Sequence, residues 1–315
     1  MEYLRPVAGL VAGFVILIYS GKYLVKGSVS IAYRFKVSKL VIGLTVVAFG
    51  TSAPELFVSV MAAIDNHPGI SVGNVVGSNI INIALVLAIT AMIFPIPVRK
   101  SSIKYDWPAM MAASLLFYIF ILNGYLQFLE GLIFFILLCA YVAFSIYYSR
   151  KNYTQPDAVE EVHFSTQVSI LLIILSSAGL ALGSDLLVKN AVKIADKLQI
   201  DDRIISITVI AFGTSVPELV TSAAAAFKKE MDISIGNIIG SNIFNILCVL
   251  GITSMIKRVE IPAMTMHFDV FWMLGTALLL FLFILPLKGG KLTQPKGLFL
   301  FMVYCIYVYL LFVKI

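Results

Sequence analysis

Residues 45–59 read TVVAFGTSAPELFVS and residues 70–83 read ISVGNVVGSNIINI; 163 positions further on, residues 208–222 read TVIAFGTSVPELVTS and residues 233–246 read ISIGNIIGSNIFNI. The match runs without a gap from 41–90 to 204–253, with more than half of the positions identical. Chance similarity between two apolar helices leaves scattered Leu and Val matches. Here Gly, Thr, Ser, Pro, Glu and Asn coincide, so the chain holds an internal repeat. Its meaning depends on how often each copy crosses a membrane.

Composition says that it does cross one. Of 315 residues, 60% are hydrophobic and 13% charged, with a mean hydropathy of +0.98. A soluble domain carries about 25% charge, which excludes a water-soluble enzyme and a disordered chain. A spanning helix needs roughly 20 apolar residues. Apolar runs between polar breaks place ten spans near 7–25, 38–64, 71–94, 107–123, 128–148, 168–188, 202–227, 234–256, 267–286 and 295–313. The first run follows Arg5 as a signal peptide would, but its counterpart recurs in mid-chain, so it counts as a span.

Each copy thus holds five spans, and an odd number turns the second copy upside down relative to the first. The expected fold is an all-α polytopic membrane protein of ten helices in two inverted five-helix repeats, the plan of secondary transporters. The expected division is 1–148 for the first repeat, 149–167 for a short cytosolic connection and 168–315 for the second repeat. The net charge of +6 and pI near 9.1 reflect Lys and Arg in the connections. With the N-terminus outside, inward-facing loops carry 15 of them against 8 outside. The positive-inside bias therefore predicts both termini outside. Cys139, Cys248 and Cys305 lie in apolar runs without paired or metal-type spacing, as buried small hydrophobes would. Tyr105, Trp107 and Trp272 near span ends fit interfacial anchors.

Glu55 and Glu218 carry the chemistry. An ionised side chain at mid-membrane costs at least roughly 2.5–3.5 kcal/mol, so two at equivalent positions require a reason, and cation binding supplies one. Pro54 and Pro217 precede them and remove a backbone donor, which frees the carbonyls of Gly50 and Gly213 to turn toward a ligand. The offset of three places Ser52 beside Glu55 and Ser215 beside Glu218 on one helix face. Ser71, Asn74, Ser78 and Asn82 form a polar stripe repeated by Ser234, Asn237, Ser241 and Asn245, of which 71, 74, 234 and 237 are better read as interhelical hydrogen bonders. Gly73 with Gly77, and Gly236 with Gly240, allow close backbone approach. The donor set is all oxygen, as hard cations such as Ca²⁺ require. Two carboxylates are neutralised by one Ca²⁺ or by two Na⁺, so the two cargoes can replace one another; proton loading of the same glutamates stays open.

GTSAPE with GNVVGSNIIN, repeated as GTSVPE with GNIIGSNIFN, resembles the paired alpha-repeats of the calcium:cation antiporter superfamily, in particular the prokaryotic form of its sodium/calcium exchanger branch. The resemblance implies alternating access by sliding of the first and sixth spans against the other eight. It also implies ion ligands at Thr51, Ser52, Glu55, Ser78 and Asn82, at Thr214, Ser215, Glu218, Ser241 and Asn245, and at backbone carbonyls of Ala48, Thr51, Ala211 and Thr214. Some prokaryotic relatives, and the potassium-dependent branch, carry Asp where this chain has Asn245; the amide removes one potential negative charge, which argues against potassium dependence without deciding stoichiometry or proton coupling. The expected function is sodium/calcium antiport that expels calcium across a cell membrane. It would need no cofactor, calcium and sodium being substrates, and no obligatory protein partner, nucleic acid or enzymatic activity. A proton/cation antiporter is the alternative, followed by a channel or a membrane-embedded hydrolase.

Overall fold

The computed structural model describes residues 4–65, 67–153, 164–197, 211–285 and 290–314. Nine helices among them are long and apolar enough to cross a membrane. In chain order the helices are α1 (Leu4–Arg34), α2 (Lys39–Ile64), α3 (Gly69–Ile93), α4 (Ser102–Asn123) and α5 (Phe128–Lys151), followed by α6 (Thr166–Lys197), the shorter α7 (Val216–Phe227), α8 (Met231–Ile256), α9 (Thr265–Ile284) and α10 (Gln294–Lys314). The 163-residue shift carries α1 onto α6, the last part of α2 onto α7 with the turn before it, and α3 onto α8. Local detail repeats as well. A π-helical stretch opens at Asn82 and again at Asn245, and another at Ser102 and again at Thr265. Residues 198–210, where the seventh expected span begins, lie outside the described residues, as do 154–163 of the connecting loop.

Four two-residue strands knit the halves together: β1 (Ile96–Pro97), β2 (Tyr125–Leu126), β3 (Val259–Glu260) and β4 (Lys291–Leu292). β1 pairs with β4 and β2 with β3, both antiparallel, so each half lends one strand to each sheet. Pairing also fixes parity. β2 and β3 must lie on one membrane face, so the chain makes an even number of crossings between them. α5, α6 and α8 supply three, and the fourth is the crossing to which α7 belongs.

α1 and α6 stand apart as an antiparallel pair. A side chain on Gly13 would put its Cβ 2.9 Å from the Gly183 carbonyl oxygen, and one on Gly183 would stand 3.0 Å from that of Gly13, so only glycine permits this approach. Each helix is longer than the span expected for it. The 31 residues of α1 reach about 46 Å at 1.5 Å per residue, against a hydrocarbon core of about 30 Å. The pair meets the rest through one apolar cluster that includes Leu17, Leu24, Leu180 and Leu187 with Ile42, Val47 and Val216. A larger cluster, including Leu44, Val76, Ile83, Phe117, Ile239 and Val249, fills the space among the remaining helices.

α8 is the most enclosed helix, buried on all sides from Ile233 to Gly251. Gly236 and Gly240 serve as expected: a Cβ at either would lie 2.6 Å from a carbonyl of α2, that of Leu40 or Leu44. Three sequence expectations fail in the packing. Gly73 and Gly77 make no close backbone approach, since a Cβ at either would meet nothing within 4 Å. Cys139 and Cys305 are exposed, Cys248 alone being buried, because α5 and α10 turn those faces outward. Trp107 is no interfacial anchor: its Nε1 donates to the Ala277 carbonyl at 2.8 Å and its ring stacks on Phe281, joining α4 to α9.

Candidate cation site

The two motifs meet where α2 and α3 of the first half face α7 and α8 of the second. Glu55 and Glu218 have no accessible surface, and Thr51, Ser52, Ser78, Asn82, Ser215, Ser241 and Asn245 are buried with them. Contacts cross between halves. Ser52 Oγ donates to Glu218 Oε1 at 3.3 Å, and Ser241 Oγ reaches the same oxygen at 3.5 Å. Thr51 Oγ1 donates to Asn237 Oδ1 at 3.1 Å and lies 3.3 Å from Ser241 Oγ. Thr214 is half-buried, and Ala48 is engaged through its carbonyl, which faces Thr51 Oγ1 at 3.3 Å. Ala211 opens the short turn Ala211–Thr214 that precedes α7.

Three of the four residues expected to bond between helices do so. Ser71 Oγ donates to the Ser59 carbonyl at 2.7 Å, and Asn74 Nδ2 to Ser59 Oγ at 3.1 Å and to the Glu55 carbonyl at 3.3 Å. Asn237 Nδ2 donates to Ser222 Oγ at 3.0 Å, the counterpart of the Asn74 bond. Ser234 Oγ has no partner among the described residues.

What remains around the glutamates is a set of buried oxygens without hydrogen-bond partners among the described residues. They are both oxygens of Glu55, Oε2 of Glu218, Oγ of Ser78 and Ser215, and Oδ1 of Asn82 and Asn245. An unsatisfied buried polar group costs roughly 1–3 kcal/mol, more when charged. Such a concentration in an otherwise well-packed interior marks a place built for a ligand. Every one of these atoms is a hard oxygen, and no group of three or more His, Cys, Asp or Glu gathers among the described residues. The chemistry suits a hydrated alkali or alkaline-earth ion exchanging water for protein oxygen.

The halves differ in backbone although their sequences agree. Ala48–Ile64 is one continuous helix with Pro54 inside it. Its counterpart breaks at Ser215, whose φ of −90° and ψ of 2° separate the short turn from α7. Glu218 therefore sits in the first turn of a helix, where free N–H groups and the helix dipole favour negative charge, while Glu55 sits in mid-helix. The expectation that both freed carbonyls turn toward a ligand is corrected here. The Gly213 carbonyl instead accepts a 2.5 Å hydrogen bond from Ser184 Oγ of α6, because the break rotates it toward the peripheral pair.

Sequence reasoning missed Asn79 and Asn242, which are buried and bonded to Asn245 and Asn82. Their signal was available, since GSN recurs in both motifs. It also missed a repeated acid–phenol pair: Tyr141 Oη donates to Asp106 Oδ1 at 3.3 Å and Tyr307 Oη to Asp269 Oδ1 at 3.1 Å.

The sequence model of the family described as "Sodium/calcium exchanger protein" matches residues 5–147 and 168–313. The chain belongs to the sodium/calcium exchanger protein family. Within that family it is 32% identical over 343 aligned residues to the sodium/calcium exchanger MaX1 of Methanosarcina acetivorans, 96% of this chain and 97% of that one being covered. The CaxA protein of Alkalimonas amylolytica is 37% identical over 96% of this chain and 97% of its own. Among solved structures, the sodium-calcium exchanger NCX_Mj soaked with Na⁺ and Sr²⁺ superposes with a TM-score of 0.83 at 33% identity, covering 98% of this chain and 99% of that one. The ten-helix, inverted-repeat membrane fold and the assignment to transporters rather than enzymes follow from this membership.

Proposed function

We propose that this protein is a secondary antiporter that exchanges sodium for calcium by alternating access and so expels calcium. One observation carries the reading: two buried carboxylates share an interface between inverted halves with unpaired hydroxyl and amide oxygens, and no cluster of His, Cys, Asp or Glu suited to a softer metal gathers among the described residues. Calcium takes six to eight oxygens, a number that these side chains can supply with a few main-chain carbonyls. The ion ligands are Glu55 and Glu218, shared by both cargoes, with Thr51, Ser52, Ser78, Asn82, Thr214, Ser215, Ser241 and Asn245 and the carbonyls of Ala48 and Ala211.

Coupling follows from charge. An empty cavity with two ionised glutamates is costly to enclose in low dielectric, whereas one Ca²⁺ or two Na⁺ restores neutrality. Only a loaded site passes through the closed intermediate, so one cargo moves in exchange for the other. The α1–α6 pair, held together by its own glycine contacts and meeting the rest through one apolar cluster, slides against the rest to open the cavity to alternate faces. The unequal halves support this, because a transporter of two inverted copies held in one access state has copies in two conformations.

In this reading the protein resides in the cell membrane with both termini outside, as 1–148 and 168–315 around a short cytosolic connection at 149–167. It acts without an obligatory protein partner. Lys39 with Glu230, at 2.5 Å, and Arg99 with Asp232 pair across the halves at the face assigned to the cytosol. The test is ⁴⁵Ca²⁺ uptake into proteoliposomes preloaded with Na⁺, against K⁺-loaded vesicles and a pH jump. Uptake is expected only with the sodium gradient, and Glu55→Gln and Glu218→Gln are each expected to lower it at least tenfold. Uptake driven by the pH jump alone would replace sodium by protons as the coupling ion. Full activity in both glutamine variants would overturn the site.

A further inference from the structure

Asn79 and Asn242 face each other across the contact between α3 and α8, one residue beyond Ser78 and Ser241. Their amides and those of Asn82 and Asn245 are buried and joined in a closed pattern. Asn79 Nδ2 donates to the main-chain carbonyl of Asn242 at 3.2 Å, and Asn242 Nδ2 donates to that of Asn79 at 3.4 Å. A carbonyl can only accept, so the nitrogen ends of both side chains are committed and their oxygens must point the other way. Those oxygens are used in turn: Asn79 Oδ1 accepts from Asn245 Nδ2 at 3.0 Å, and Asn242 Oδ1 accepts from Asn82 Nδ2 at 3.1 Å. The nitrogens of Asn82 and Asn245 are thereby committed too. What is left over is Oδ1 of each, buried and without a partner among the described residues.

The sequence of constraints runs one way, from main-chain carbonyls to free amide oxygens. Flipping Asn82 or Asn245 would set oxygen against oxygen, and flipping Asn79 or Asn242 would set oxygen against carbonyl and nitrogen against nitrogen. The sulfurs of Met273 and Met110, at 3.7 and 3.6 Å, lie beside the Asn79 and Asn242 nitrogens and close the outer side of the pattern.

We propose that Asn79 and Asn242 are positioning residues, an amide relay that holds the Asn82 and Asn245 oxygens toward the transported cation and requires a neutral hydrogen-bond donor at both positions. An ionised carboxylate at 82 or 245 would present oxygen to the oxygen of its relay partner. The fixed charge of the cavity therefore stays with Glu55 and Glu218. This rests on the exchange reading and on Asn82 and Asn245 as ligands. It adds that each ligand amide is oriented by the opposite half, Asn82 by Asn242 and Asn245 by Asn79.

The crossed dependence gives the test. In the reconstituted full-length protein, Asn79→Leu and Asn242→Leu are each expected to raise the half-saturating Ca²⁺ concentration about tenfold, with a smaller change in maximal rate. Asn242→Leu added to Asn82→Ala is expected to weaken calcium less than twofold further, because its target is already gone. Asn79→Leu added to Asn82→Ala is expected to retain most of its own tenfold effect. A structural role alone would give no such selectivity. Equal effects in both backgrounds, or unchanged affinity in the single variants, would overturn the relay. Asn79→Ser and Asn242→Ser, which add no bulk, carry the same expectation where a leucine variant does not fold. Calcium-dependent elevation of the melting temperature, measured in the same proteins, reads affinity without transport. If the wild type binds calcium but shows no sodium-driven uptake, the exchange reading fails while the relay is still judged by these shifts.

Discussion

Removing the Ser184 hydroxyl should tip the balance between access states. Ser184 Oγ is buried and donates to the Gly213 carbonyl at 2.5 Å, which ties the peripheral pair to the turn just before the Glu218 helix. The first half cannot form the same bond, because the residue equivalent to Ser184 is Gly21. The bond therefore has no inverted copy, and an access state in which the halves exchange conformations could form no equivalent of it. Interhelical hydrogen bonds in membranes average about 0.6 kcal/mol, which sets the lower bound at a threefold shift. Pro217 has no N–H to offer the Gly213 carbonyl, so the carbonyl is left unsatisfied when Ser184 goes. At roughly 3 kcal/mol for such a loss, the upper bound is about 150-fold. Spin labels at Leu182 on α6 and Leu278 on α9, both exposed, report the position of the pair by pulsed EPR in a cysteine-free background. Ser184→Ala is expected to deplete the distance population of this structure at least threefold. Populations unchanged within a factor of two would refute the claim that this bond holds the state.

Three further outcomes are expected. Gly240→Val should fail to give a monodisperse protein on size exclusion, since a Cβ there would lie 2.6 Å from the Leu44 carbonyl and 2.8 Å from the Ala48 Cβ, whereas Gly275→Ala, with nothing within 4 Å, should be tolerated or stabilise α9 by up to about 1 kcal/mol. Tyr141→Phe should lower thermal stability by roughly 1.5–3 kcal/mol, the range for a hydrogen bond to a charged group, because Asp106 loses the phenol that it accepts from; no change in the melting midpoint would show that water replaces it. Arg99→Leu should cost less than about 1 kcal/mol, as a half-exposed ion pair does, and the difference from wild type should shrink further in high salt.

Much of the site was legible because its signals are local and chemically odd. A glutamate within an apolar run after a proline stands out in any single span, and finding it twice at one offset turns an oddity into a site. Five spans per copy then force inversion by counting alone. Asn79 and Asn242 escaped notice for the opposite reason. They repeat as faithfully as Asn82 and Asn245, but they fall outside the three-and-four spacing of the polar stripe. Their role depends on bonds to a helix about 160 residues away. Trp107 was misassigned because proximity to a span end suggests headgroups. Only the packing of α4 on α9 shows its indole spent on the Ala277 carbonyl. Ser184 carried no signal at all, since nothing in its own helix distinguishes it from other small polar residues.

The limit of sequence is clearest in AFGTS, which occurs at 48–52 and again at 211–215. The first copy lies in a continuous helix and the second breaks at its serine. Identical residues with the same proline two positions on cannot choose between these backbones by themselves. Sequence alone determined the solvent, the number of crossings, the inversion and the oxygen-rich chemistry, because hydropathy, parity and side-chain type do not depend on what lies opposite. Tertiary structure decided which copy bends, which carbonyl Ser184 takes and which way each amide points. Those choices are made by contacts between halves, and an inverted pair in one access state cannot make them the same way twice.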